Sequence, residues 1–93
     1  MIRWLDQAED DLIAIEGYIA QDNPIAAIDT SEKIWLSTER LRDNPDIGRR
    51  GRVKGTRELM VIGTPYIVVY RTNSASIDIL RVLHGSQRWG TNG

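Results

Sequence analysis

Arg57 to Leu83 reads RELMVIGTPYIVVYRTNSASIDILRVL, and its punctuation decides the fold. Three runs rich in β-branched and aromatic residues, Arg57 to Ile62, Tyr66 to Arg71 and Ile77 to Leu83, are separated by Gly63-Thr64-Pro65 and by Thr72 to Ser76. Runs of this length bounded by Gly, Pro, Asn and Ser read as strands, and links this short make neighbours antiparallel. A three-stranded antiparallel meander is therefore expected.

Upstream the period changes. Ile2 to Leu5 is apolar enough for a short first strand. Leu5, Ala8, Leu12, Ile15 and Ile19 then recur at spacings of three and four, which marks one buried helix face, while Glu9, Asp10, Asp11 and Glu16 occupy the other. Asp6 with Glu9 fits a capping box at the start of this helix, which is expected to end near Gln21. In Asp22-Asn23-Pro24-Ile25, Asn23 can cap a second helix and Pro24 suits its first position, where a missing N–H costs nothing. That helix carries Ala27, Ile28, Ile34, Trp35, Leu36, Thr38 and Leu41 and is expected to run to about Asp43, before Asn44-Pro45. Trp35 reads as core or hairpin packing. Strand, helical hairpin and meander together predict an α+β fold with both helices on one face of a twisted sheet.

Ninety-three residues suffice for one domain with a modest core, taken to span 1–93 with a tail that frays beyond Trp89. There is no cysteine and one histidine, so a thiolate zinc site is excluded, and neither metal nor cofactor is expected. No long apolar run is present and the N-terminus lacks the order of a signal peptide, so the expectation is a cytoplasmic protein without membrane contact.

The net charge of −1 conceals an asymmetry. Met1 to Asp46 holds 4 basic and 11 acidic residues, whereas Ile47 to Gly93 holds 8 basic and 2 acidic. Five of those cations, Arg49, Arg50, Arg52, Lys54 and Arg57, fall in Gly48 to Arg57, among Gly48, Gly51 and Gly55, which reads as a flexible basic loop. Continued by Arg71 and Arg81 on the strands, such a loop is expected to form an anion-binding surface for nucleic acid or an acidic protein, because the guanidinium fork suits phosphate and carboxylate. The plainer alternative is internal pairing: Arg57 with Glu58 or Glu39, and Arg71 and Arg81 with Asp78. His84, directly after the last strand, is the only side chain suited to ordinary general base chemistry near neutral pH.

The ordered set WLDQAEDDLIAIEGYIA, DNPIAA, PDIGRRGRVKGTREL, PYIVVYR and ILRVLHGSQRW resembles the RelE/ParE superfamily of bacterial toxins from type II toxin-antitoxin systems, often labelled plasmid stabilisation proteins. The resemblance covers Ile2 to Trp89 and implies a strand, a helical hairpin and an antiparallel sheet. It also implies a cognate antitoxin whose C-terminal segment lies along the hairpin and sheet. Two activities occur in the superfamily. RelE-like members cut messenger RNA on the ribosome, commonly with an arginine where this chain has Ile67, and several place a tyrosine after the last strand, where this chain has only Trp89. ParE-like members inhibit DNA gyrase, and the apolar YIVVYR strand followed by RVLH is closer to them. The resemblance thus implies a gyrase poison with Arg49, Arg50, Arg52, Lys54, Arg81 and His84 as contact residues. The alternative is a metal-free ribonuclease in which Arg57, Arg71 and Arg81 hold the phosphate and His84 moves the proton.

Overall fold

The computed structural model describes residues 1–87, so the expected fraying beyond Trp89 lies outside the described residues. Strand β1 (Ile2–Trp4) leads into helix α1 (Asp6–Ala20), and a tight turn leads into helix α2 (Pro24–Glu39), which closes with a 3-10 turn at Arg40–Arg42. Strands β2 (Arg49–Arg50), β3 (Arg57–Met60), β4 (Tyr66–Thr72) and β5 (Ile77–His84) follow. The expected α+β fold is present, with five strands in the order β1-β5-β4-β3-β2. The meander β3-β4-β5 is antiparallel, and β1 lies parallel to β5. The fifth strand comes from the basic segment read as loop: Arg49 pairs with Glu58 and Arg50 with Arg57.

The hairpin forms as its residues dictate. The Asn23 side chain accepts the Ala26 N–H at 3.0 Å and Pro24 opens α2. Asn23→Ala is expected to cost about 1 kcal/mol, lowering Tm by roughly 4–8 °C in a domain of this size, measured by thermal melting. The capping box at α1 does not form. Leu5 is the N-cap, held there as its N–H continues the sheet ladder to Ile79 O at 3.0 Å, and its hydrocarbon side chain has no acceptor to offer the helix. Asp6 is consequently already helical, where with Glu9 it complements the positive end of the helix dipole. Beyond Glu39 the expected α2 continues only as the tighter 3-10 turn.

Strand alternation divides the sheet into two faces. Toward the helices, Leu59, Val61, Val68, Tyr70, Ile79 and Val82 pack with Ala8, Ile34 and Leu41, and with the partly buried Trp4, Leu12 and Ile15. Ile67, Val69 and Leu83, joined by Leu80, cluster on the other face. Trp35 is not in the core. It is 49 % exposed, because α2 turns Ala27, Ile34, Thr38 and Leu41 inward and that stripe leaves Trp35 on its flank. There it borders a shallow apolar cavity of about 330 Å³ with Trp4, Leu12 and Ile13.

Candidate anion-binding surface

The basic segment is folded by two hydrogen bonds and one glycine. Thr56 N–H donates to Val53 O at 3.1 Å, Gly51 N–H donates to Thr56 O at 2.8 Å, and Gly55 takes φ 84° between them. The resulting hairpin gives the two arginines of β2 opposite fates. Arg49 shares a face with its register partner Glu58, whereas Arg50 shares the other face with Arg57.

Glu58 is 2 % exposed and organises one group of cations. Its carboxylate accepts Arg49 Nη2 at 3.3 Å and the Arg52 backbone N–H at 2.9 Å, with Arg52 Nε at 3.5 Å. Arg52 also donates through Nη1 to Gln87 O at 2.7 Å. Arg57 turns away from Glu58 and Glu39; it donates to Gly48 O at 2.8 Å and to Asp46 O at 3.3 Å, with Asp46 Oδ1 at 3.6 Å from Nε. Among the described residues, Arg50 and Lys54 form no ion pair. Arg49, Arg52 and Arg57 are thus internally paired, Arg57 with Asp46 in place of the Glu58 or Glu39 considered from the sequence. Compensation is nevertheless incomplete, because three of the five cations share two carboxylates, Glu58 and Asp46, and Arg50 and Lys54 reach neither.

A second carboxylate does the same across the sheet. Asp78 is 1 % exposed and accepts Arg3 through two bonds at 3.2 and 3.1 Å, Arg71 at 3.3 Å, Asn73 at 3.2 Å and the Ser76 hydroxyl at 2.7 Å. The Ser76 hydrogen bond, with smaller contributions from Arg3 and Arg71, outweighs burial and holds the Asp78 carboxyl below its ordinary range.

Arg81 does not join Asp78. The register of β4 and β5 slips at Val69/Tyr70, so that Val69 faces Arg81 and Tyr70 faces Ile79. Leu80 is the extra residue of this bulge. Because β1 pairs no further than Ile79, the outer edge of β5 beyond it is open, and Asp11 of α1 fills it. Asp11 accepts the Val82 N–H at 2.9 Å and Arg81 through two bonds at 2.7 and 3.0 Å. The hydrogen bond to Asp11 raises the Arg81 pKa above its ordinary value. Arg81 thus ties helix to sheet.

His84 is exposed at the far end of β5, its ring edge-on to Tyr66 at 5.8 Å between centroids. Its Nδ1 accepts the Ser86 N–H at 3.2 Å and lies 2.8 Å from Ser86 Oγ, which places the proton of the neutral ring on Nε2. Tyr66 faces His84 while Arg71 faces Asp78, so His84 and Arg71 stand at opposite ends of the ladder. Five residues at about 3.3 Å each put roughly 16 Å between them. The structure therefore brings Arg49 and Arg52 together at Glu58, and Arg50, Lys54 and Arg57 around one hollow, but does not bring His84 to Arg57 or Arg71.

The organising acids Glu58, Asp78 and Asp11 were not singled out as site residues. One signal pointed to the first two: they are the only acids after Asp46, each set within a strand among arginines. Among the described residues, no cluster of acidic or histidine side chains is placed to hold a metal, and no helix is long and apolar enough to cross a membrane.

A strand, a helical hairpin and a mostly antiparallel five-stranded sheet with a basic rim are the parts that the resemblance to the small toxins of the RelE/ParE superfamily implies. The profile of the ParE toxin of the type II toxin-antitoxin system, parDE, matches residues 2–89, and the chain belongs to that family. It is similar to Y4kP of Sinorhizobium fredii, a protein classed as a toxin, at 41 % identity over 95 % of this chain and 91 % of the relative. It is also similar to toxin RelE2 of Caulobacter vibrioides, at 31 % identity over 90 % of this chain and 93 % of that one. A chain from the chromosomal ParDE TA system of P. aeruginosa superposes with a TM-score of 0.80 at 28 % identity, covering 89 % of this chain and 92 % of its own.

Proposed function

We propose that this type II toxin acts as a ParE-like poison of DNA gyrase, by binding rather than by catalysis. The observation that carries the reading is the separation of His84 from Arg57 and Arg71 along the β-ladder, which leaves the candidate proton carrier remote from two of the three candidate phosphate holders, while the third, Arg81, is engaged by Asp11. General acid–base catalysis needs hydrogen-bond reach, directly or through one water. The cations of the β2–β3 segment, Arg49, Arg50, Arg52 and Lys54, are the proposed contacts, with Arg81 and His84 on β5. The match to the ParE family supports the same choice.

The antitoxin is proposed to cover the outward side of the hairpin. Ile13, Tyr18, Ile25 and Ile28 are each more than half exposed there, and Met60 and Ile62 at the sheet rim are 64 % and 80 % exposed. Apolar side chains this exposed suit a segment that folds on binding.

Purified toxin is expected to inhibit supercoiling by gyrase in a cell-free assay and to leave a translating extract unaffected. Normal supercoiling at saturating toxin eliminates the reading. Codon-end cleavage of messenger RNA in the extract, lost in His84→Ala, would establish the ribonuclease alternative in its place.

A further inference from the structure

A hollow of about 430 Å³ opens at the β2–β3 turn, between Arg50, Lys54, Arg57 and Thr72, with Gly55 and Thr56 in its wall, and no acidic residue lines it. We infer that this hollow receives a phosphate group of a nucleic-acid backbone. It is separate from the Glu58 and Asp78 groups, because alternation sends Arg50 to the face opposite Arg49 and Glu58.

Three features carry the assignment. Arg50 and Arg57 are direct register partners on adjacent strands. Like charges placed directly across a ladder destabilise it, and Lys54 adds a third cation to the same hollow. Asp46 reaches Arg57 only, at 3.6 Å, so Arg50 and Lys54 are left without a carboxylate among the described residues. An anion seated between them removes that repulsion. Second, the donors fit: the guanidinium offers a planar fork, the ammonium three rotatable donors, and Thr72 an exposed hydroxyl. Third, the rim favours a polyanion over a peptide. Val53 is the single apolar side chain in it, and protein interfaces depend on buried apolar anchors that this rim does not supply. The assignment does not depend on gyrase being the target.

The test uses the full chain, isotope-labelled for amide NMR. Titration with inorganic phosphate and, separately, with a short DNA duplex is expected to shift the amides of Lys54, Gly55 and Thr56, the duplex competing with phosphate. Arg50→Gln/Lys54→Gln is expected to abolish both responses while the remaining spectrum stays that of the folded chain. In the double variant, the slope of log affinity for the duplex against log salt should fall by roughly 2, since each phosphate contact contributes about 0.9. Arg40→Gln, which removes an exposed cation on another element, should leave the slope unchanged. An unchanged slope in the double variant overturns the inference. So does a response to inorganic phosphate without one to the duplex, or an equal response of these amides to a polyglutamate peptide.

Discussion

Asp78→Ala is expected to destabilise the fold by about 2–3 kcal/mol, seen as a lowered urea midpoint with an unchanged slope. The carboxylate is almost wholly buried and accepts Arg3, Arg71, Asn73 and Ser76, so its removal strips four partners at once. The arginine side chains are about half exposed, and water offsets part of their loss, which keeps the effect below that of a fully buried pair. Replacing Arg3 or Arg71 alone should cost distinctly less, because the other still meets Asp78. The acid has a pH signature as well. Its folded pKa lies below the unfolded carboxylate value, so its contribution is complete above the unfolded value near 3.8 and is lost as pH falls through the folded one. Thermal melts below about pH 4 should therefore fall more steeply for the parent than for Asp78→Asn. Equal slopes in the two proteins would show that the charge of Asp78 contributes nothing.

Gly48→Ala is the second large effect, expected at about 2–3 kcal/mol by the same midpoint measurement. A methyl group at Gly48 would lie 2.7 Å from both the Tyr70 ring and its hydroxyl. Tyr70 is fully buried and cannot yield by moving into solvent. Its hydroxyl also ties the Pro45–Gly48 turn to β4, accepting the Gly48 N–H at 2.9 Å and donating to Pro45 O at 2.7 Å. Displacing the ring would break both bonds and loosen the point from which β2 departs. Tyr70→Phe should relieve the clash only in part, since it leaves the Pro45 carbonyl and the Gly48 N–H without their partner. A Gly48→Ala protein with the parent's midpoint would mean that the segment moves freely over Tyr70.

The local chemistry of this chain was legible and its long-range pairing was not. Asn23-Pro24 announced the hairpin, and the runs around Val68 and Ile79 announced strands, because both signals lie within a few residues. Arg71 with Asp78 was foreseeable as a cross-strand pair on a short hairpin. Arg81 with Asp11 was not: the partners lie 70 residues apart, and helical periodicity places Asp11 on a solvated side. What brings them together is a bulge at Leu80 and the early end of β1, neither of which leaves a mark in composition. The basic segment was misread for a related reason. Its glycines signal a loop, yet Arg49-Arg50 pairs over two residues, enough for alternation to divide one arginine pair between two faces. Counting charges therefore located the basic segment without telling which of its cations pair internally.

The parallel pairing of β1 with β5 carries a consequence for biosynthesis. Arg3 meets Asp78 across 75 residues, so the first strand of the sheet waits for the last before it has any neighbour. Closing so long a span precedes any reward from the contacts it creates. As the polypeptide leaves the ribosome, β1 and the hairpin emerge with no sheet to lie on, and assembly is deferred until Ile77–Ile79 is outside. Closure of the sheet is thus the last step of assembly, since β5 is the one strand that β1 pairs with among the described residues.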